Sequence, residues 1–166
     1  AKPSRLRTSS STPSIARFRP YIGLQMYTVR DRYPTDFAGT IRAAAAAGYA
    51  AIQPTGSYGG VKLDEVGKLF ADNRLVSATT HVSPTAGEAF EPTLAAYAKI
   101  GHRYTTIRQP APRTLEASKQ AAANLNAAGA ITRKHGLKVM YHNHAEEFQK
   151  LPGGETRVYD VLIAET

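Results

Sequence analysis

Five short apolar runs, each followed by a stretch of helical periodicity, constrain this chain more than anything else in it. "YIGLQMYTV" (Tyr21 to Val29) reads as a strand. "PTDFAGTIRAAAAAG" then places Phe37, Ile41, Ala44 and Ala45 at helical spacing, with Thr35 as the expected N-cap and Gly48 as the stop. "AAIQPTG" is the second strand, and "LDEVGKLFADN" sets Leu63, Val66, Leu69 and Phe70 on one helical face. "RLVSATTHVS" is the third, followed by a helix from about Gly87 to Ile100 with Pro92 in its first turn. "RYTTIRQP" is the fourth; its helix opens at a Thr114 cap, runs through Leu115 and Leu125, and stops at Gly136. "LKVMYHNH" is the fifth. The closing "YDVLIAET" reads as a helix with Val161, Leu162 and either Ala164 or Glu165 turned partly inward.

The returns from helix to strand look alike. "AGYAAI", "IGHRYTTI" and "HGLKVM" each place a glycine just before the strand, and strands begin near residues 22, 51, 75, 104 and 138. Such intervals suit βα units feeding a parallel sheet with strand order 1-2-3-4-5 and its helices outside. Two architectures share this grammar. A doubly wound five-stranded sheet fits the length, whereas a complete (β/α)8 barrel normally needs about 250 residues. Against the open sheet, "QMYTVRD" stands after the first strand where a nucleotide-binding fold has a glycine-rich phosphate loop, so no nucleotide cofactor is expected. Polar residues instead gather at the carboxyl ends of all five strands: Gln25, Tyr27 and Arg30; Gln53; Thr79 and His81; Arg108; His142 and His144. A barrel builds its active site from those ends.

Composition narrows the chemistry. The 166 residues include no cysteine, which excludes disulfides, thiolate metal sites and cysteine nucleophiles; any metal must be held by His, Asp or Glu. No apolar run approaches the length of about 18 residues that a transmembrane helix needs, so no membrane partner is expected. The net charge of +8 suggests nucleic acid until it is placed along the chain. Lys2, Arg5, Arg7, Arg17 and Arg19 lie in residues 1–20, which hold no acid, leaving +3 on the other 146 residues. Nucleic acid is therefore not an expected partner. Residues 1–20, rich in Ser, Pro and Thr and without periodicity, read as a disordered tail, and 21–166 as the folded domain. The chain begins at Ala1 rather than Met, which leaves a cytoplasmic location open beside a periplasmic one reached through a removed export segment.

The stretch "KVMYHNHAEEF" (Lys138 to Phe148) concentrates the chemistry. In a strand, residues i and i+2 share a side, so His142 and His144 point together while Tyr141 and Asn143 face the other way. With Val139 and Tyr141 packed against the helices, both imidazoles point into the mouth. Neutral imidazole is a good ligand for a divalent ion. A histidine at a strand end is also, more ordinarily, a hydrogen-bonded polar residue. His102 and His135 precede strands, at the opposite end, and read as structural or surface residues.

"IGLQMYTVRD", "AAGYAAIQ", "VSATTHVS" and "GLKVMYHNHAEEF" followed by "YDVLIAET" resemble the sugar phosphate isomerase/epimerase family, of the xylose isomerase-like TIM-barrel superfamily. The resemblance covers Tyr21 to Thr166. It implies an α/β fold of (β/α)8 TIM-barrel type, ending in the helix after the fifth strand of eight. It also implies divalent-metal-assisted proton transfer next to a sugar carbonyl, in which the ion (Mn, Mg, Co or Zn) stabilises an enediolate. On this resemblance His142 and His144 are metal ligands, Glu147 and His81 catalytic residues, and Gln25, Tyr27, Arg30, Gln53 and Asn143 substrate contacts. The family motif usually reads "HNHDFEF"; Ala145 here replaces an acid and Glu146 an aromatic, while Glu147 and Phe148 keep the pattern. Gln53 stands where many members have Glu, so it can contact a hydroxyl but cannot move a proton.

A small carbohydrate is the implied substrate, with isomerisation, epimerisation and dehydration all open. Unpaired first and fifth strands predict self-association, as a homo-oligomer or aggregate, and little activity for the chain alone. A non-catalytic carbohydrate-binding or interaction module is the alternative. Endonuclease-type DNA repair, which uses related barrels, is opposed by the near-neutral charge outside the tail.

Overall fold

A computed structural model of the protein describes residues 22–77, 79–82 and 90–166. The reading of residues 1–20 as a tail, and the expected start of the third helix near Gly87, lie outside them. Six strands alternate with five helices: β1 (Gly23–Gln25), α1 (Phe37–Ala46), β2 (Ala51–Gln53), α2 (Leu63–Asp72), β3 (Val76–Ser77), β4 (Thr79–Val82), α3 (Phe90–Lys99), β5 (Tyr104–Ile107), α4 (Leu115–Lys134), β6 (Lys138–Tyr141) and α5 (Val158–Glu165). Every strand pairing is parallel, in the orders β1-β2-β3 and β4-β5-β6. The third apolar run thus supplies both β3, which pairs with β2, and β4, which pairs with β5. The five runs lie in the expected order.

All four of the first helices end in one way, which explains the repeated glycines. The amide of the third residue past each helix reaches back five positions: Tyr49 to the Ala44 carbonyl, Leu75 to Phe70, His102 to Tyr97 and Leu137 to Thr132, at 2.9–3.2 Å. This closure needs a left-handed residue just before the returning amide. Gly48, Gly101 and Gly136 supply it with φ of 92°, 93° and 71°, and Arg74, with φ 54°, takes the same place after α2. Starts are set by side-chain caps. Thr114 Oγ1 accepts from the Ala117 amide as expected, but α1 is capped by Asp36, whose carboxylate accepts from the Gly39 amide at 2.8 Å. Thr35, the expected cap, donates instead to the Arg32 carbonyl, because the chain is still turning there.

The helices bury one face each against the sheet. Phe37 and Ile41 of α1, Val66 and Phe70 of α2, Leu94 and Tyr97 of α3, and Leu125 of α4 form one core with Ile52 and Ile107 of the strands. Phe37 and Tyr58 meet edge to face at 5.6 Å. Small residues Ala121, Ala122, Ala128 and Gly129 are buried along α4, which packs against α5. α5 buries Val158, Val161 and Leu162; Ala164 and Glu165, expected to turn inward, are exposed, because the buried stripe starts one turn earlier.

One polar cluster lies within this core. Ser77 Oγ bonds His102 Nδ1 at 2.7 Å, His102 Nε2 bonds the Tyr58 hydroxyl at 3.1 Å, and that hydroxyl bonds Thr80 Oγ1 at 3.1 Å. Ser77 and Thr80 both face the cluster although they are three residues apart. Between Ser77 and Thr80, therefore, strict alternation slips by one residue. Burial lowers the His102 pKa to about 4. This histidine is structural, as its position before a strand implied.

Candidate functional site

The slip between β3 and β4 decides which residues of the third run face the barrel interior. In β4 they are Thr79 and His81; His81 stands opposite Thr106 of β5, and Thr106 opposite Met140 of β6. Thr79 and Thr106 bond through their hydroxyls at 2.6 Å, filling the layer below. Two residues past Met140 on the same side comes His142, whose amide continues the ladder by donating to the Ile107 carbonyl at 2.8 Å. His81 Nε2 and His142 Nδ1 meet at 3.0 Å. The His144 ring lies 4.8 Å, centroid to centroid, from that of His142. Arg108, at the end of β5, reaches His144 Nδ1 from its Nε at 3.5 Å, the outer limit of a hydrogen bond.

The surroundings favour the neutral form of His81 and His142. Burial lowers the His81 pKa most; the neighbouring Pro54 carbonyl favours the charged ring and Arg108 opposes it. His142 is lowered by burial first, then by His81, His144 and Arg108, with Glu147 pulling the other way. Nδ1 of His81 is shielded from solvent and has no hydrogen-bond partner among the described residues.

Glu147 sits beneath the histidines, 2% exposed, in the short helical turn Glu146–Phe148. One oxygen accepts from the Tyr141 hydroxyl at 2.8 Å and the other from the His144 amide at 2.7 Å. Burial would raise its pKa, but these bonds outweigh it and hold the carboxyl below the usual range. Burial and Glu147 together push the Tyr141 phenol well above its usual value. With one bond on each oxygen, Glu147 holds the turn that carries His144.

Of the other residues singled out in the sequence, Gln25 and Gln53 stand opposite each other at the ends of β1 and β2. The Gln25 side chain caps the following turn by accepting from the Tyr27 amide at 2.8 Å. Arg30 donates to the Tyr27 carbonyl at 3.0 Å and lies 4.7 Å from the centre of the Tyr27 ring, so these two interact with each other. Tyr27 is 58% exposed and makes no recorded contact with the histidines. Asn143 donates only to the adjacent His144 carbonyl, at 3.4 Å. The structure therefore brings His81, His142, His144 and Glu147 together with Arg108, and leaves Tyr27, Arg30 and Asn143 in local contacts. Sequence reasoning placed Arg108 at a strand end without a role. It overlooked the carbonyl of Pro54 and the "RQPAPR" segment that lines a cleft beside His144.

No protein-family profile matches the chain, and no curated protein matches it in sequence. Solved structures match it in fold. A sugar phosphate isomerase/epimerase from Parabacteroides distasonis shares 20% identity at TM-score 0.73, over 93% of this chain and 65% of that one. The IOLI protein with a binding zinc atom shares 13% at TM-score 0.57, over 72% of this chain and 50% of that one. An L-ribulose 3-epimerase shares 18% at TM-score 0.51, over 72% and 48%. The chain thus spans about half to two-thirds of the length of these structures. Its fold is α/β, of the TIM-barrel type with parallel strands found in sugar phosphate isomerase/epimerase and xylose isomerase-like proteins. At such identities the likeness establishes the fold, and the reaction has to be argued from the side chains.

Proposed function

We propose that this protein is sugar isomerase/epimerase-like, with His142 as the group that takes a proton from a carbon next to a sugar carbonyl. The observation that carries this is the 3.0 Å contact between His81 Nε2 and His142 Nδ1 at the strand ends where a barrel builds its site. Two neutral rings in that contact share one proton, and in the one of its two arrangements that serves the reaction His81 Nε2 accepts while His142 donates from Nδ1. His142 Nε2 is left with a lone pair. Abstraction moves the C–H proton to that nitrogen and the C–H electron pair into an enediol(ate). Delivery of a proton from water to the opposite face, with His142 then losing its own to solvent, gives an epimer; return of the His142 proton to the former carbonyl carbon, with a hydroxyl proton passing between the two oxygens, gives an isomer. Glu147 acts as a positioning residue through the His144 amide.

Metal use is a separate question. The resemblance implies Mn, Mg, Co or Zn, yet among the described residues no three His, Asp or Glu side chains converge as a metal site. Among the described residues the carboxylate bonded to the His144 amide, Glu147, carries a hydrogen bond on each oxygen. The described residues do not fit a complete metal centre, and no step here runs through one. That same observation favours the second reading, a carbohydrate-binding module without turnover. Incubation with ketopentoses and ketohexoses in deuterated water, with and without each divalent ion, tests the proposal. Deuterium should enter next to the carbonyl, and His142→Asn should reduce the rate by about 100-fold or more. Binding of a ketose without exchange under any of these conditions would establish the binding module instead.

A further inference from the structure

Beyond His144, away from His81, lies a cleft of about 560 Å³ between the connection from β5 to α4 and the connection from β6 to α5. Arg108, Gln109 and Arg113 line one wall, and His144, Glu146 and Lys150 the other. We infer that this cleft is an anion subsite that receives a phosphate or carboxylate group carried by the sugar; the inference deepens the reading of the histidine site and rests on it.

The donors are in place and their acceptors are missing. Nε2 of Gln109 is shielded from solvent and has no hydrogen-bond partner among the described residues. A buried amide N–H without an acceptor costs about 1–3 kcal/mol, and a ligand oxygen in the cleft would remove that cost. Arg113 makes no ion pair or hydrogen bond among the described residues, and Arg108 has only the long contact to His144. Their planar guanidinium groups suit the oxygens of a phosphate or carboxylate.

Lys150 is paired with Glu155 across the short turn between them. Arg108 and Arg113 therefore face two carboxylates, and the lining has no net charge. Glu147 is 2% exposed, with its oxygens turned to Tyr141 and the His144 amide, so at the cleft surface the two guanidinium groups meet the Glu146 carboxylate alone. His144 belongs both to the histidine group and to the cleft wall. A sugar with its carbonyl at His142 can therefore extend its charged end past His144 toward Arg113.

Titration of the whole chain with inorganic phosphate and, separately, acetate at low ionic strength tests the subsite without any turnover. Saturable phosphate binding is expected, weakened about 5–10-fold by Arg113→Gln and tightened about two-fold by Glu146→Gln. Phosphate binding well ahead of acetate points to a phosphate monoester, and equal binding to a sugar acid; both support the subsite. No saturable binding of either anion, or an affinity unchanged within two-fold in both variants, overturns it. Phosphate binding without deuterium exchange keeps the subsite and removes the reaction, and exchange without anion binding does the reverse.

Discussion

His102 and His142 show how one residue type takes opposite roles at the two ends of a strand layer. His102 occupies the third position past α3, where Leu75 and Leu137 stand past α2 and α4, so it fills an apolar slot in which the neutral ring is favoured. Its folded pKa of about 4 lies below the ordinary 6.5, so the unfolded chain takes up its proton first. Stability from this group is full above about pH 6.5 and falls as the pH drops toward 4. The loss is roughly 3 kcal/mol. His81 and His142, lowered in the same direction, add to the fall, whereas Glu147, held below its ordinary 4.5, contributes a loss only from about that pH downward. Urea midpoints at pH 7, 6, 5 and 4.5 should fall steadily, and His102→Gln should flatten the curve; a wild-type midpoint constant from pH 7 to 5 would contradict the account. At this scale the sequence was partly legible. Alternation alone put His142 and His144 on one side, because two-residue periodicity is local. The engagement of Glu147 by Tyr141 and His144 depends on how the turn after β6 folds back, which no spacing reveals. The contact of Tyr27 with the nearby Arg30 was invisible in the same way.

Elements were more legible than contacts, and their failures have physical causes. Glycine marked three of the four helix ends because those positions need a left-handed backbone; the fourth carries Arg74, which is why the return after α2 lacked the signal. Asp36 displaced Thr35 as a cap because a carboxylate one residue later reaches the Gly39 amide. The slip between β3 and β4 was invisible, since it is defined by Ser77 and Thr80 both meeting the His102–Tyr58 pair. Gly56 ties this slip to the site. Its φ is 87°, and a Cβ there would lie 2.6 Å from the His81 carbonyl oxygen, so the loop after β2 packs directly on the backbone of β4. Gly56→Ala combines a left-handed strain with a collision against backbone, which has little freedom to give way. The expected loss is about 2–3 kcal/mol in a urea unfolding experiment, with the His81 ring resonances displaced. A variant that keeps wild-type stability and unshifted His81 signals would show that the loop does not position this histidine.

At the scale of the molecule, the five βα units leave two strands with an open side. Among the described residues β1 pairs only with β2, and β6 only with β5. The interior face is uncovered as well: Val76 is 43% and Met140 42% exposed on the side that carries His81 and His142. On the outside, Ile163 is 62% exposed on α5, and Phe148 packs on Tyr159 with 46% of its own surface in solvent. Unpaired parallel edges present amide and carbonyl groups to any other edge, and apolar patches beside them add a driving force that grows with buried area. The chain of 166 residues, studied by itself, is therefore expected to self-associate, with a mass by light scattering that rises with concentration. Salt should strengthen the association, because apolar contact and not charge drives it. Val76→Lys and Met140→Lys should move the population toward monomer, since both put a charge on the exposed apolar interior face and Met140 lies on the open strand β6. A monomer at all concentrations that also exchanges deuterium at the rate of a working enzyme would show that five units close their own site.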